Sequence, residues 1–273
     1  MPELPEVETY RRYLEETSLH QQIVDFTAAD PKRQVTMPYD EFRQEIKGRQ
    51  MVKTTRIGKH LLVGLDNGKV LSLHFGMTGD LHFYRLPEDA PRFERATFFL
   101  ANGFKLAFVD SRKFGRIGLW ESEAAYIKSK KLGSDALEIT PAELWKNLQK
   151  RKSPLKPALL DQKVLAGIGN WLVDEILFQA RLHPETTASE ITPAQLKRLT
   201  KAIWEVLQTS VQQEAIYRRL PTSYLIHARE WDDSPHADKD AHKNCPRCQA
   251  PILKTVVGGR ATYLCPRCQP EKK

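Results

Sequence analysis

The chain has 273 residues, 41% hydrophobic and 28% charged, long enough for two ordinary globular domains with real cores. No apolar run approaches the roughly 18 residues of a membrane span, and the charged N-terminus is no signal peptide, so a soluble cytoplasmic protein is expected. Lys and Arg number 42 against 34 Asp and Glu, a formal charge of +8, and the excess gathers at the C-terminus. From Lys243 to Lys273 seven basic residues face one acid, Glu271, which points to a polyanionic partner.

The chain opens MPELPEVET. Pro5 suits the first position of a helix, and Glu6 and Glu8 then lie in its first turn, where the helix dipole favours anions. Leu4, Val7, Tyr10 and Leu14 fall on one face of that helix. Pro2 lies outside it, and local structure explains it only as a stiff lead-in. From about Gly48 to Trp120 the pattern is strand-like. Asn67-Gly68 and Asn102-Gly103 each sit between apolar runs, a strong hairpin signal. Strands near 51–56, 60–65, 69–75, 80–84, 95–101, 104–109 and 116–120 predict an antiparallel sandwich or barrel. Residues 122–139 read as a charged connector.

Helical signals follow. Thr140 to Glu143 (TPAE) and Thr192 to Gln195 (TPAQ) both carry a Thr cap, a proline at the first helical position and an acid or amide three residues after the cap. Between them, KPALLDQK and NWLVDEILFQARL read as two more helices joined by VLAGIG. A helical domain is expected over 140–215, then a polar, mobile stretch over 216–243. Within that stretch His236, Asp238, Asp240 and His242 read as part of a solvated loop rather than as a second metal site.

All four cysteines lie in two C-P-R-C pairs, Cys245/Cys248 and Cys265/Cys268. Sixteen residues separate the pairs, a spacing that fits one structural zinc held by four thiolates. Four closed ligands leave no open position for chemistry. The intervening ILKTVVGGRATYLC predicts a hairpin with Gly258-Gly259 at its tip and Arg260 just beyond. LAGIGNW (Leu165–Trp171) is a glycine-broken turn feeding a helix, with Asn170 as its expected cap. Such a turn can bind a phosphate at the helix start, though a tight helix connection explains it as well.

MPELPEVET, GKHLL, HFGMTG, DSRKFG, GIGNWLVDEILFQARLHP and the terminal four-cysteine hairpin, in this order, resemble the formamidopyrimidine-DNA glycosylase and endonuclease VIII family of base-excision repair enzymes. The resemblance spans almost the whole chain. It implies a multidomain α+β fold: an N-terminal antiparallel β-sandwich with a leading helix over 1–121, a helix–two-turn–helix domain over 140–215 and a zinc-finger hairpin over 244–269. It implies a monomer acting on double-stranded DNA with a damaged base or abasic site, bound between lobes. One structural zinc and no catalytic metal or organic cofactor are expected.

The resemblance also gives Pro2 a role. With Met1 removed, Pro2 becomes the terminus, and an α-amino group titrates roughly 2 units below a lysine side chain. A secondary amine attacking C1′ of the sugar forms an iminium, which is cationic without a proton and acidifies the C2′ hydrogen for β,δ-elimination. By the same resemblance Glu3 assists sugar-ring opening, Lys59 contacts the lesion-side phosphate and assists elimination, and Arg260 binds phosphates and assists the second elimination. Asn170 matches the family's phosphate-binding asparagine. Met77, Arg112 and Phe114 match the trio that fills the void left by a flipped base. Arg95 and Arg151 fall where the family often has basic DNA contacts.

Two departures bear on substrate. GNWLVDE replaces the GNIYASE-like form of the bacterial 8-oxoguanine enzymes, and the stretch from Arg218 to Cys245 lacks the glycine-rich loop that closes over 8-oxoguanine. The reading is a bifunctional glycosylase and abasic-site lyase for oxidised purines of the 8-oxoguanine or formamidopyrimidine type. The alternatives are a same-family preference for oxidised pyrimidines, hydantoins or other lesions, and a non-catalytic damaged-DNA-binding module.

Overall fold

The computed structural model describes residues 1–229 and 243–271, so the expectation for His236, Asp238, Asp240 and His242 lies outside the described residues. The chain divides into two compact units, Met1–Lys131 and Leu132–Lys273. Among the described residues no helix is long and apolar enough to cross a membrane.

The first unit begins with helix α1 (Leu4–Thr17), strand β1 (Ile23–Ala28) and helices α2 (Pro31–Gln34) and α3 (Tyr39–Ile46). Strands β2 (Met51–Ile57), β3 (His60–Leu65), β4 (Val70–His74), β5 (Gly79–Tyr84), β6 (Glu94–Leu100), β7 (Lys105–Asp110) and β8 (Arg116–Trp120) follow, then helix α4 (Glu123–Lys130). The strands form two four-stranded sheets, ordered β1-β6-β7-β5 and β2-β3-β4-β8. Every pairing within them is antiparallel. Their inner faces supply one core, with Phe26, Phe98, Leu106 and Phe108 from the first sheet and Leu61, Val63, Leu71, Leu73 and Ile117 from the second. Val7 and Leu14 of α1 and Phe42 and Ile46 of α3 close it.

Both expected Asn-Gly turns form. Within each pair only the glycine is left-handed (Gly68 φ +84°, Gly103 φ +82°), and its N–H closes the turn by donating to the carbonyl three residues back, Leu65 and Leu100, at 3.0 Å each. Asn67 and Asn102 use their side chains instead, accepting from the amides of Lys69 and Phe104 at 3.1 Å each. The expected connector over 122–139 differs: Glu123–Lys130 is helical, capped by Ser122, whose hydroxyl accepts from Ala125 N, with Tyr126 buried beneath it.

The second unit contains helices α5 (Pro141–Leu148), α6 (Leu155–Leu160), α7 (Asn170–Ala180) and α8 (Pro193–Gln212), and strands β9 (Leu253–Val257) and β10 (Arg260–Leu264) paired as a hairpin. Both threonine capping boxes form as the sequence predicts. Helix α7 is buried almost all round, from Trp171 to Phe178, and is the spine of this unit. The stretch expected to be polar and mobile from 216 is packed in its first part. Leu220, Tyr224, Leu225, Ile226 and Ala228 are buried, and Ile226 N donates to the Glu175 carboxylate of α7 at 3.0 Å. Leu225 and Ala228 share a cluster with Phe178, Tyr263, Cys245 and Cys265.

Candidate active site and nucleic-acid interface

The chain start is held by its own helix. Glu3 caps α1, and its backbone N–H donates to the Glu6 carboxylate at 3.1 Å in a capping box. Leu4 is therefore the first helical residue and Pro5 the second, one position later than the sequence predicts. Glu3 is only 3% exposed, so the carboxyl next to Pro2 sits in a shielded, positively biased place. Five residues further, Glu8 accepts from Arg56 Nε at 3.2 Å, which fixes the start of α1 against the end of β2.

Strand register then gathers the sequence motifs at one end of the sandwich. His60 pairs with His74 and His74 with Arg116 in one sheet, while Gly79 pairs with Asp110 and Glu94 with Val109 in the other. HFGMTG and DSRKFG are thus two of the three places where the chain crosses from sheet to sheet, and these two crossings lie side by side. The β2–β3 turn carrying Lys59 belongs to the same end, because it leads directly into His60. Read alone, Lys59 would be an exposed turn lysine; here it is 8% exposed.

His60 and His74 were not singled out from the sequence, although both stand within motifs quoted there. Their rings lie 4.8 Å apart, and Tyr126 Oη is 2.7 Å from His60 Nδ1. Together with Arg116, Trp120 and Lys130 they line a cavity of about 280 Å³. Burial, helped by neighbouring positive charges that include Lys59, pushes His60 down to about 3 and His74 down to about 4. Both rings are neutral at neutral pH, so they add hydrogen-bonding capacity beside Lys59 without adding repulsion.

The crossings present Met77 (40% exposed), Arg112 and Phe114 (48% exposed) to solvent, whereas Met and Phe read singly would be core. The Arg112 guanidinium lies over the Phe114 ring, 5.2 Å from its centroid. Asp110, also passed over in the sequence, holds the arrangement. It is 1% exposed and accepts from Thr78 Oγ1 at 2.5 Å, Arg112 N at 3.1 Å and Gly115 N at 2.7 Å. Gly76 (φ +58°) lets the crossings touch, since a Cβ there would stand 2.6 Å from the Phe114 carbonyl carbon. Arg95 joins the same cluster by donating from Nε to the Asp110 carbonyl at 2.7 Å.

In the second unit Gly169, not Asn170, occupies the cap position of α7; Asn170 is the first helical residue. Its side chain is therefore free of capping and reaches the hairpin, where Nδ2 donates to the Ala261 carbonyl at 3.0 Å. That carbonyl also accepts from Lys156 Nζ at 2.8 Å. Lys156 is fully buried and donates as well to Asp174 and to Thr262 Oγ1, each at 2.8 Å, while Asp174 also pairs with Arg229 at 3.2 Å. Arg260 stands next to this anchor, exposed beyond the Gly258-Gly259 tip. Arg151 lies apart from it, paired with Asp161 at 3.0 Å.

The four cysteine sulfurs all lie within 4.8 Å of one another, with no disulfide among them. Cys245 and Cys268 are 3.8 Å apart, and Cys248 and Cys265 3.5 Å. Zinc–sulfur bonds of about 2.3 Å at tetrahedral angles set sulfurs about 3.8 Å apart, so the site fits zinc. The amides of Arg247 and Cys268 point at Cys245 Sγ and Cys265 Sγ, each at 3.4 Å, as thiolate ligands require. Burial pushes the metal-free Cys265 thiol up to about 12, and a bound dication removes that penalty.

Sandwich, helical unit and four-thiolate hairpin together define a zinc-finger protein of mixed α+β class. Residues 1–117 match the formamidopyrimidine-DNA glycosylase N-terminal domain, 132–220 the formamidopyrimidine-DNA glycosylase H2TH domain and 243–270 the zinc finger found in FPG and IleRS. Formamidopyrimidine-DNA glycosylase of Pelotomaculum thermopropionicum is 37% identical over 276 residues, covering 100% of both chains. That of Chloroflexus aurantiacus is 36% identical over 98% of each. The chain belongs to the formamidopyrimidine-DNA glycosylase family. Among solved structures, Lactococcus lactis Fpg bound to DNA with an abasic site superimposes with a TM-score of 0.86 at 28% identity, covering 98% of this chain and 100% of that one. MutM bound to DNA containing carbocyclic 8-oxo-G gives 0.87 at 29% identity, over 99% and 100%.

Proposed function

We propose that the protein is a bifunctional DNA glycosylase and abasic-site lyase that removes oxidised purines from double-stranded DNA, acting as a monomer in the cytoplasm. The observation that carries the reading is the gathering, at one end of the sandwich, of the Lys59 turn and of exposed Met77, Arg112 and Phe114. Apolar side chains held bare on rigid crossings suit insertion into a base stack, and a guanidinium beside them can donate to the orphaned partner base. The lesion class follows the relatives, whose solved complexes hold Fapy-dG or 8-oxo-G DNA.

The chemistry begins once Met1 is removed. The Pro2 nitrogen attacks C1′, and the bond from C1′ to the base breaks with its electron pair leaving on the base. Glu3, shielded beside Pro2, gives its proton to the ring oxygen as the sugar opens, the Pro2 N–H proton passes to the departed base, and the nitrogen lone pair so freed forms the iminium. Loss of a C2′ proton then expels the 3′ phosphate; a second elimination expels the 5′ phosphate, and water frees Pro2. Lys59 supports the lesion-side phosphate during these steps. In the second unit Asn170 and Arg260 bind phosphates, and Arg151 adds a peripheral cation. Arg95 acts chiefly by holding Asp110 in place. Cys245, Cys248, Cys265 and Cys268 hold zinc, which stiffens the hairpin bearing Arg260.

Borohydride trapping tests the proposal. Incubated with lesion-bearing duplex and borohydride, the protein forms a covalent adduct that peptide mapping places on residue 2, with Met1 absent. Retaining Met1 through an N-terminal tag abolishes the adduct while sparing duplex binding. An adduct on a lysine refutes the assignment of Pro2, and binding with neither adduct nor strand cleavage identifies a non-catalytic binding module.

A further inference from the structure

Phe93 is an outlier in backbone and surroundings alike. Its φ is +66°, a left-handed conformation that is strained for a bulky side chain and persists only where surrounding contacts hold it. The ring nevertheless gains no core burial in return, for it is 40% exposed. Two guanidiniums flank it, Arg92 at 4.5 Å and Arg95 at 5.6 Å from the ring centroid. Arg92 is exposed and enters no ion pair among the described residues.

What holds the strain is the cluster that positions the base-displacing loop. The Phe93 carbonyl accepts from Asp110 N at 3.0 Å, and Arg95 Nε donates to the Asp110 carbonyl. The same Asp110 takes the amides of Arg112 and Gly115 on its side chain. A register shift between Glu94 and Ala96, the irregularity by which strands re-aim side chains beside active sites, follows immediately in β6. Phe93 is therefore aimed outward, at the sandwich end that carries Met77, Arg112 and Phe114, by contacts shared with them.

We infer that Phe93 is a further DNA-contacting residue, its ring packing against a nucleotide that neighbours the displaced base while Arg92 neutralises a phosphate of the same strand. The chemistry fits both halves of a nucleotide. An aromatic face between two cations offers apolar area to a sugar or base and positive charge to the phosphates beside it. The inference rests on the proposed DNA reading and adds to it a contact outside the void-filling trio.

Binding to a duplex with a stable, uncleavable abasic-site analogue, measured across a salt series, tests it. Phe93→Ala should weaken binding about tenfold at fixed salt with an unchanged salt slope, because a ring carries no charge. Phe93→Gly should lose affinity to the same extent while melting at a higher temperature than Phe93→Ala, since glycine relieves the left-handed strain. Arg92→Ala should lower the salt slope by about one. Affinities of both Phe93 variants within twofold of wild type overturn the inference, as does affinity that follows melting temperature. If wild-type protein itself fails to bind the duplex, the DNA reading falls with it.

Discussion

Replacing Asp110 with Asn separates the scaffold of the two crossings from the side chains proposed to enter DNA. The substitution keeps shape and volume but removes one acceptor. Oδ1 takes Thr78 and Arg112 N, so the new amide is best placed at Oδ2, where Gly115 N–H loses its acceptor and meets a donor. Gly115 cannot swing away, because it packs so tightly that a Cβ there would stand 2.4 Å from the Phe108 ring. A buried donor left unpaired costs about 1–3 kcal/mol, and the remaining bonds weaken because they no longer end on a charge. A loss of about 2–4 kcal/mol in the stability of the first unit is expected. The functional loss should be selective. Excision from a lesion duplex, which requires Arg112 and Phe114 to be presented, should fall at least tenfold, and cleavage at a preformed abasic site much less. Parallel single-turnover assays on the two substrates, with thermal melting of the same preparations, read both effects. An Asp110→Asn protein that melts like wild type and excises at its rate would refute the scaffold argument; equal losses on both substrates would show general unfolding instead.

Cys245→Ser or Cys268→Ser should abolish stoichiometric zinc, read by metal analysis as one ion per wild-type chain, and should weaken DNA binding by loosening the hairpin that carries Arg260; retained binding without metal would contradict this. Asn170→Ala and Arg260→Ala should weaken lesion and undamaged duplexes alike, with Arg260→Ala lowering the salt slope by about one, whereas altered lesion preference at unchanged overall affinity would assign them another role. Burial pushes the Glu175 carboxyl up to about 7, against partial compensation from Gln179, the Leu225 and Ile226 amides and Arg229. The folded protein thus keeps a proton that the unfolded chain releases near 4.5, and stability falls as pH rises from there through about 7. Glu175→Gln should remove that decline, shrinking the stability difference between pH 5 and pH 8 by up to about 3 kcal/mol in denaturant titrations whatever its effect at one pH, and a difference equal to that of wild type would show that the carboxyl ionises freely.

The sequence was most legible where local chemistry decides structure. Asn-Gly turns, threonine capping boxes and paired C-P-R-C motifs act over a few residues, and each stands where it was expected. Strand β1 and helix α3 were missed, since IVDFTA and YDEFRQEI have weak periodicity and gain order by packing Phe26, Phe42 and Ile46 into the sandwich. Helix α4 was hidden by charge: its single buried aromatic, Tyr126, is fixed by residues distant in sequence. The same limit applies at the site. Pro2, Met77, Arg112 and Phe114 could be named from motifs, but Asp110, His74 and Lys156 act through partners that only sheet register and helix packing bring close. Asn170 shows a subtler failure, because the residue before it takes the cap and frees its side chain to reach the hairpin.

In its proposed role Met77 has to be bare in order to enter a base stack, and a bare thioether is open to peroxide. Oxidation to the sulfoxide would replace a pliant apolar tip with a polar, chiral one, unsuited to the gap left by a displaced base. Conditions that oxidise guanine would therefore blunt the tool that answers them, and reductase repair of one side chain would restore it. Wear of this kind falls on lesion removal and spares cleavage at sites already abasic, so an oxidised population would finish repairs it could no longer begin.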